Sequence, residues 1–114
     1  MDGTSPTAAD RWVHVGPIDV TFKLGPDETL IAAAWREGYY WPTVCGGRGE
    51  CTACHVVVED GVANAVPAGR LESLVLAPVI AKRDPRLTIR LACQLKVHGP
   101  VRVHKKAVRR RIMQ

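Results

Sequence analysis

Aromatic side chains are scarce in this chain, with one Phe, two Tyr and three Trp among 114 residues. Packing must therefore rest on Val, Leu, Ile and Ala, and the tryptophans Trp12, Trp35 and Trp41 are expected in the core. No apolar run approaches the roughly 20 residues that a membrane-spanning helix needs. The first ten residues are small, polar and weakly acidic; they lack the apolar centre of a secretory signal and the arginines of a transit peptide. This reading predicts a cytoplasmic protein with no membrane partner. The length suits one domain with a modest core, and no flavin or nicotinamide domain is expected on the same chain.

Acidic residues are almost missing from the last third. Residues 82–114 hold eleven Lys or Arg and one Asp, a charge of +10, whereas residues 1–81 hold five against ten, a charge of −5. The basic run Lys105-Lys106-Ala107-Val108-Arg109-Arg110-Arg111 contains no aromatic residue on which a base could stack. It is expected to be a solvated surface tail, and nucleic acid is not an expected partner.

Four cysteines are present, three of them within ten residues: Cys45-Gly46-Gly47-Arg48-Gly49-Glu50-Cys51-Thr52-Ala53-Cys54, with Cys93 far downstream. Without a secretory signal, such thiols are expected to bind metal and not to pair as disulfides. Thiolates select zinc, copper(I) or iron–sulfur clusters. Zinc usually takes its sulfurs from two C-x2-C pairs, and this chain has one. The glycines favour a cluster, because inorganic sulfides accept bonds from backbone N–H groups that must approach closely. A zinc-binding or nucleic-acid-binding module is the alternative from another class.

Around the cysteines the pattern is that of a small α+β domain. Arg11 to Val15 alternates weakly, Gly16-Pro17 marks a turn, and Ile18 to Leu24 alternates cleanly, which predicts a hairpin. Asp27 is placed to cap a helix of about ten residues with an apolar stripe of Leu30, Ile31, Ala33, Ala34 and Trp35, stopped by Gly38. A strand over His55 to Glu59 ends at the turn Asp60-Gly61. A second, short helix between Gly69 and Ala81 is expected to be limited by Pro78. Leu87 to Leu91 reads as a strand that delivers Cys93, and Gln94 to Val97 with Val101 to Val103 are the last strand candidates. The predicted organisation is a tail over 1–10, a domain over 11–104 and a basic tail over 105–114.

The motif C-G-G-R-G-E-C-T-A-C-H-V with a later L-A-C-Q resembles the [2Fe–2S] ferredoxins of plant and vertebrate type. Its first gap of five residues is similar to the adrenodoxin and putidaredoxin branch. The likeness covers about Arg11 to Val103. It implies a β-grasp fold, with a mixed sheet of about five strands, one main helix and a short second helix. It also implies one [2Fe–2S] cluster per chain, with Cys45, Cys51, Cys54 and Cys93 as the metal and cofactor ligands and no catalytic residues. The implied role is that of a monomeric one-electron carrier and not an enzyme. Its implied partners are a FAD-containing ferredoxin reductase and an oxygenase such as a cytochrome P-450, with iron–sulfur cluster assembly as the alternative destination. His55 would tie the cluster loop to the fold through a hydrogen bond from its ring to backbone. The branch usually docks through an acidic second helix. Here Glu72 is the only acid between Gly69 and Ala81, so docking is expected through a mixed apolar and basic face around the cluster loop, by the basic C-terminal run or else by Arg48, Trp41 and the helix from Gly69 to Ala81.

Overall fold

A computed structural model of the chain describes residues 11–42 and 53–110. The predicted hairpin is present: β1, Trp12–Gly16, pairs antiparallel with β2, Val20–Lys23. Strict alternation puts Val13, Val15 and Phe22 in the core while Trp12 and His14 face outward.

Helix α1, Leu30–Arg36, follows. Its cap is Thr29 and not Asp27: the Thr29 hydroxyl accepts a bond from the Ala32 amide at 3.3 Å. A hydroxyl there satisfies an otherwise orphaned N–H of the first turn. Gly38 stops the helix as expected, at φ +84°, a conformation that suits glycine. Trp35, predicted as part of the apolar stripe, is instead exposed, since Leu30, Ile31, Ala33 and Ala34 already fill the buried side of this seven-residue helix.

After β3, Tyr39–Tyr40, and the undescribed residues 43–52, β4 runs His55–Asp60 and turns at Gly61 (φ +81°). A Cβ added at Gly61 would stand 2.3 Å from the Pro100 carbonyl oxygen, so the turn requires glycine on both counts. Helix α2, Arg70–Ala81, contains Pro78 and continues past it. Proline removes one intrahelical bond, to the carbonyl of Leu74, and that residue is on the solvent side, where water can replace the lost donor.

Strands β5, Thr88–Leu91, and β6, Val101–His104, complete a mixed sheet in the order β2-β1-β6-β4-β5. Only the β1–β6 pairing is parallel. This α+β arrangement of five strands and two helices is the expected fold class. The segment 94–97 is not a strand; Val97 makes an isolated bridge to Ala65.

The stretch beyond His104 is not a solvated tail as far as Arg110. Ala107 adopts φ +71° and turns the chain back, Val108 is buried, and β7, Arg109–Arg110, pairs antiparallel with Tyr39–Tyr40. The Arg109 guanidinium lies 4.9 Å from the centroid of the Tyr40 ring and that of Arg110 lies 5.8 Å from Tyr39. Cation–π attraction of this kind contributes about 0.5–1 kcal/mol at exposed sites.

Candidate metal centre

Cys54 directly precedes β4 and Cys93 follows β5 by two residues, so the antiparallel register that sets His55 opposite Leu91 carries both to the same end of the sheet. Both are buried, and the Ala92 amide donates to the Cys54 carbonyl. The Gln94 side-chain amide donates to the Cys93 sulfur at 3.7 Å. Cys45, Cys51 and the glycines between them lie outside the described residues.

The described end of the cysteine-rich stretch, Ala53 and Cys54, is fastened by side chains. The Trp41 indole N–H donates to the Cys54 carbonyl at 3.2 Å, and the ring is only 1% exposed. Trp41 therefore belongs to the interior and not to a docking face. Trp12 and Trp35 are the exposed tryptophans, contrary to the expectation of three core rings. On the other side, the Lys105 ammonium donates to the Ala53 carbonyl at 2.7 Å. Burial holds the Lys105 pKa below the ordinary lysine range, while negative charge on Cys54 acts in the opposite sense. Lys105 looked in the sequence like one more cation of a basic run. Nothing local distinguishes it.

The Cys93 segment is secured to α1. The Leu30 amide donates to the Leu95 carbonyl at 2.9 Å and the Ile31 amide to the Ala92 carbonyl at 3.0 Å. These are first-turn donors with no partner inside the helix, so the start of α1 and the residues flanking Cys93 satisfy each other. The His55 ring Nε2 lies 3.5 Å from the Arg83 guanidinium.

Behind this end of the sheet, α2 is held by charge. Glu72, which the sequence presents as an isolated acid on a docking helix, is buried against Arg90, with contacts of 2.6 and 2.9 Å, and also accepts the Leu91 amide at 2.9 Å. Arg90 additionally donates to the Val66 carbonyl.

Among the described residues no three His, Cys, Asp or Glu side chains gather into a metal site. The described sulfur donors are Cys54 and Cys93, and soft thiolates of this kind suit an iron–sulfur cluster.

Residues 13–98 match the 2Fe-2S iron-sulfur cluster binding domain family. The chain belongs to this family. It is 36% identical over 87 residues to 2Fe-2S ferredoxin-5 of Aquifex aeolicus (strain VF5), covering 76% of this chain and 88% of that one. Its fold is similar to that of a ferredoxin from Rhodopseudomonas palustris HaA2, with a TM-score of 0.60 and 24% identity over 87% of this chain and 96% of the other. It is also similar to the Amycolatopsis cytochrome P450 reductase GcoB, with a TM-score of 0.66 and 27% identity over 90% of this chain. The chain spans 28% of that reductase. The cofactor of this family is a [2Fe–2S] cluster, and the chain is a ferredoxin-type electron carrier. Among the described residues no helix is long and apolar enough to cross a membrane.

Proposed function

We propose that Cys45, Cys51, Cys54 and Cys93 hold the cluster, and that the protein carries single electrons from a FAD-containing reductase to an oxygenase such as a cytochrome P-450. The observation that carries the ligand assignment is the burial of Cys54 and Cys93 at one end of the sheet, with the Cys54 carbonyl bonded by Trp41 and the neighbouring Ala53 carbonyl by Lys105. When bound, the cluster accepts and returns one electron. The chain's own part is to supply thiolates, to exclude water with Trp41, Leu91 and Leu95, and to keep Ala53 and Cys54 in place. Similarity to a cytochrome P450 reductase supports a reductase and a cytochrome P-450 as the two partners.

Partner contact is expected on a mixed apolar and basic surface. Leu71 and Leu74 of α2 are 57% and 66% exposed, and the surrounding last third of the chain is strongly basic. An acidic patch on the partner would meet it, and the association rate would fall as salt rises.

Replacing each cysteine by Ala in turn tests the assignment. Each variant should lose the two irons, two sulfides and the visible spectrum of the parent. A variant that keeps all three removes its residue from the ligand set. The parent's midpoint potential should be negative, as four thiolates favour the oxidised state. Electron delivery is tested by NADPH-driven reduction of a cytochrome P-450 through a FAD-containing ferredoxin reductase. A holoprotein that takes electrons from the reductase and passes none to the oxygenase would redirect the proposal to cluster assembly.

A further inference from the structure

The sheet face opposite the core carries a cleft of about 300 Å³, lined by His55, Val57, Arg83, His104, Lys105 and Lys106. Three distant parts of the chain build it: the start of β4, the turn after α2, and the end of β6 with the two residues beyond. Pairing of Val57 with His104 forms the floor. Five of the six lining side chains bear nitrogen, and no Asp or Glu is among them.

Among the described residues no carboxylate is paired with Arg83, Lys105 or Lys106, and the nearby Asp84 is taken by Arg86 at 2.8 Å. A convex basic surface disperses its charge into water, whereas here a guanidinium and two ammonium groups border one concavity and Lys105 is half-buried. Gathering like charges around a recess costs Coulomb energy that an anion within it would offset. The planar arginine fork and the ammonium groups are the kinds of donor that phosphoryl oxygens take.

We propose that this cleft binds a small polyanion bearing a diphosphate group. Its volume is at the lower end of small-molecule sites, about 300–1,000 Å³, which suits the diphosphate itself with any attached organic part left outside. Free diphosphate and a nucleotide share this chemistry. If Cys54 is a cluster ligand, as proposed above, the cleft begins one residue away from it. An anion seated there adds negative charge beside the cluster, disfavours the reduced state and lowers the midpoint potential.

Calorimetric titration of the holoprotein with sodium pyrophosphate at low ionic strength tests this, with ADP and a hexaglutamate peptide as parallel ligands. The expected result is saturable binding of one pyrophosphate per chain, weakened about tenfold by Arg83→Gln and by Lys106→Gln. Arg102→Gln removes the same charge from an exposed position on β6 outside the cleft and should change affinity by no more than about twofold. Equal affinity for ADP assigns the site to diphosphate as such, and tighter ADP binding assigns it to a nucleotide. Absence of saturable binding, equal weakening by Arg102→Gln, or tighter binding of hexaglutamate than of pyrophosphate overturns the proposal. Pyrophosphate should also lower the midpoint potential of the parent and not that of Arg83→Gln. Calorimetry reports the anion site even if iron analysis of the cysteine variants refutes the ligand assignment, so the two failures are separable.

Discussion

Helix α1 buries Leu30, Ile31, Ala33 and Ala34 within seven residues, whereas α2 buries only Glu72 and Leu76 within twelve. The first is held by apolar packing and by two main-chain bonds to the segment around Cys93. The second is pinned to β5 by a buried ion pair and leaves Leu71, Leu74 and Ile80 exposed. Apolar burial makes α1 part of the scaffold of the metal site. In α2 the ion pair adds to the apolar contacts of Val75, Leu76 and Val79, and its outer face is left for a partner.

The largest expected effect concerns that ion pair. Glu72→Leu would leave the Arg90 guanidinium and the Leu91 amide buried without their acceptor, at a cost of about 3–5 kcal/mol in denaturant unfolding. Adding Arg90→Met should recover most of the loss. A single-variant loss below about 1 kcal/mol would mean that apolar contacts hold α2 after all.

Truncation of apolar side chains separates the helices next. Leu30→Ala should cost about 2–5 kcal/mol because it opens a cavity in the core. Leu74→Ala should stay within about 0.5 kcal/mol while slowing electron transfer to a partner that docks on α2. Similar losses from the two would erase the distinction.

A smaller effect belongs to the start of α1. Thr29→Ala should cost about 1 kcal/mol and Thr29→Ser should restore most of it, since the hydroxyl is the capping group. An unchanged unfolding midpoint in the alanine variant would show that the bonds to Leu95 and Ala92 suffice.

The smallest effect attaches to Glu28, whose carboxyl is held below the ordinary glutamate range, chiefly by its hydrogen bonds from Arg36. A lowered folded-state value means that the contribution is complete above the unfolded glutamate pKa and is lost as pH falls through the folded one. Because the Arg36 side chain is half-exposed, the advantage of the parent over Arg36→Gln should be only a few tenths of a kcal/mol at neutral pH. It should vanish in acid; a gap that widens there would contradict the sign.

Much of this was legible locally. The alternation from Ile18 to Leu24, the apolar stripe from Leu30 to Ala34, Gly38 and Asp60-Gly61 all act within a few residues, and each produced the element it predicts. The spacing of Cys45, Cys51, Cys54 and Cys93 pointed to the cluster family before any pairing was known. The apolar pattern of α2 was visible too, but Pro78 looked like its limit because the cost of a proline depends on whether the freed carbonyl is buried.

Tertiary structure alone decided the rest, and in each case the deciding contact joins residues far apart in the chain. Trp41 turns inward, since its indole finds the Cys54 carbonyl, while Trp12 and Trp35 face solvent because the strand and the helix that carry them bury other positions. Glu72 is a core residue only because Arg90 stands opposite it. Lys105 becomes a fastener of the cysteine loop, and Arg109 and Arg110 become a strand, once Ala107 reverses the chain onto Tyr39 and Tyr40. Local sequence specifies backbone preference and apolar periodicity; which charge meets which carbonyl, carboxylate or ring depends on the long-range register of the sheet.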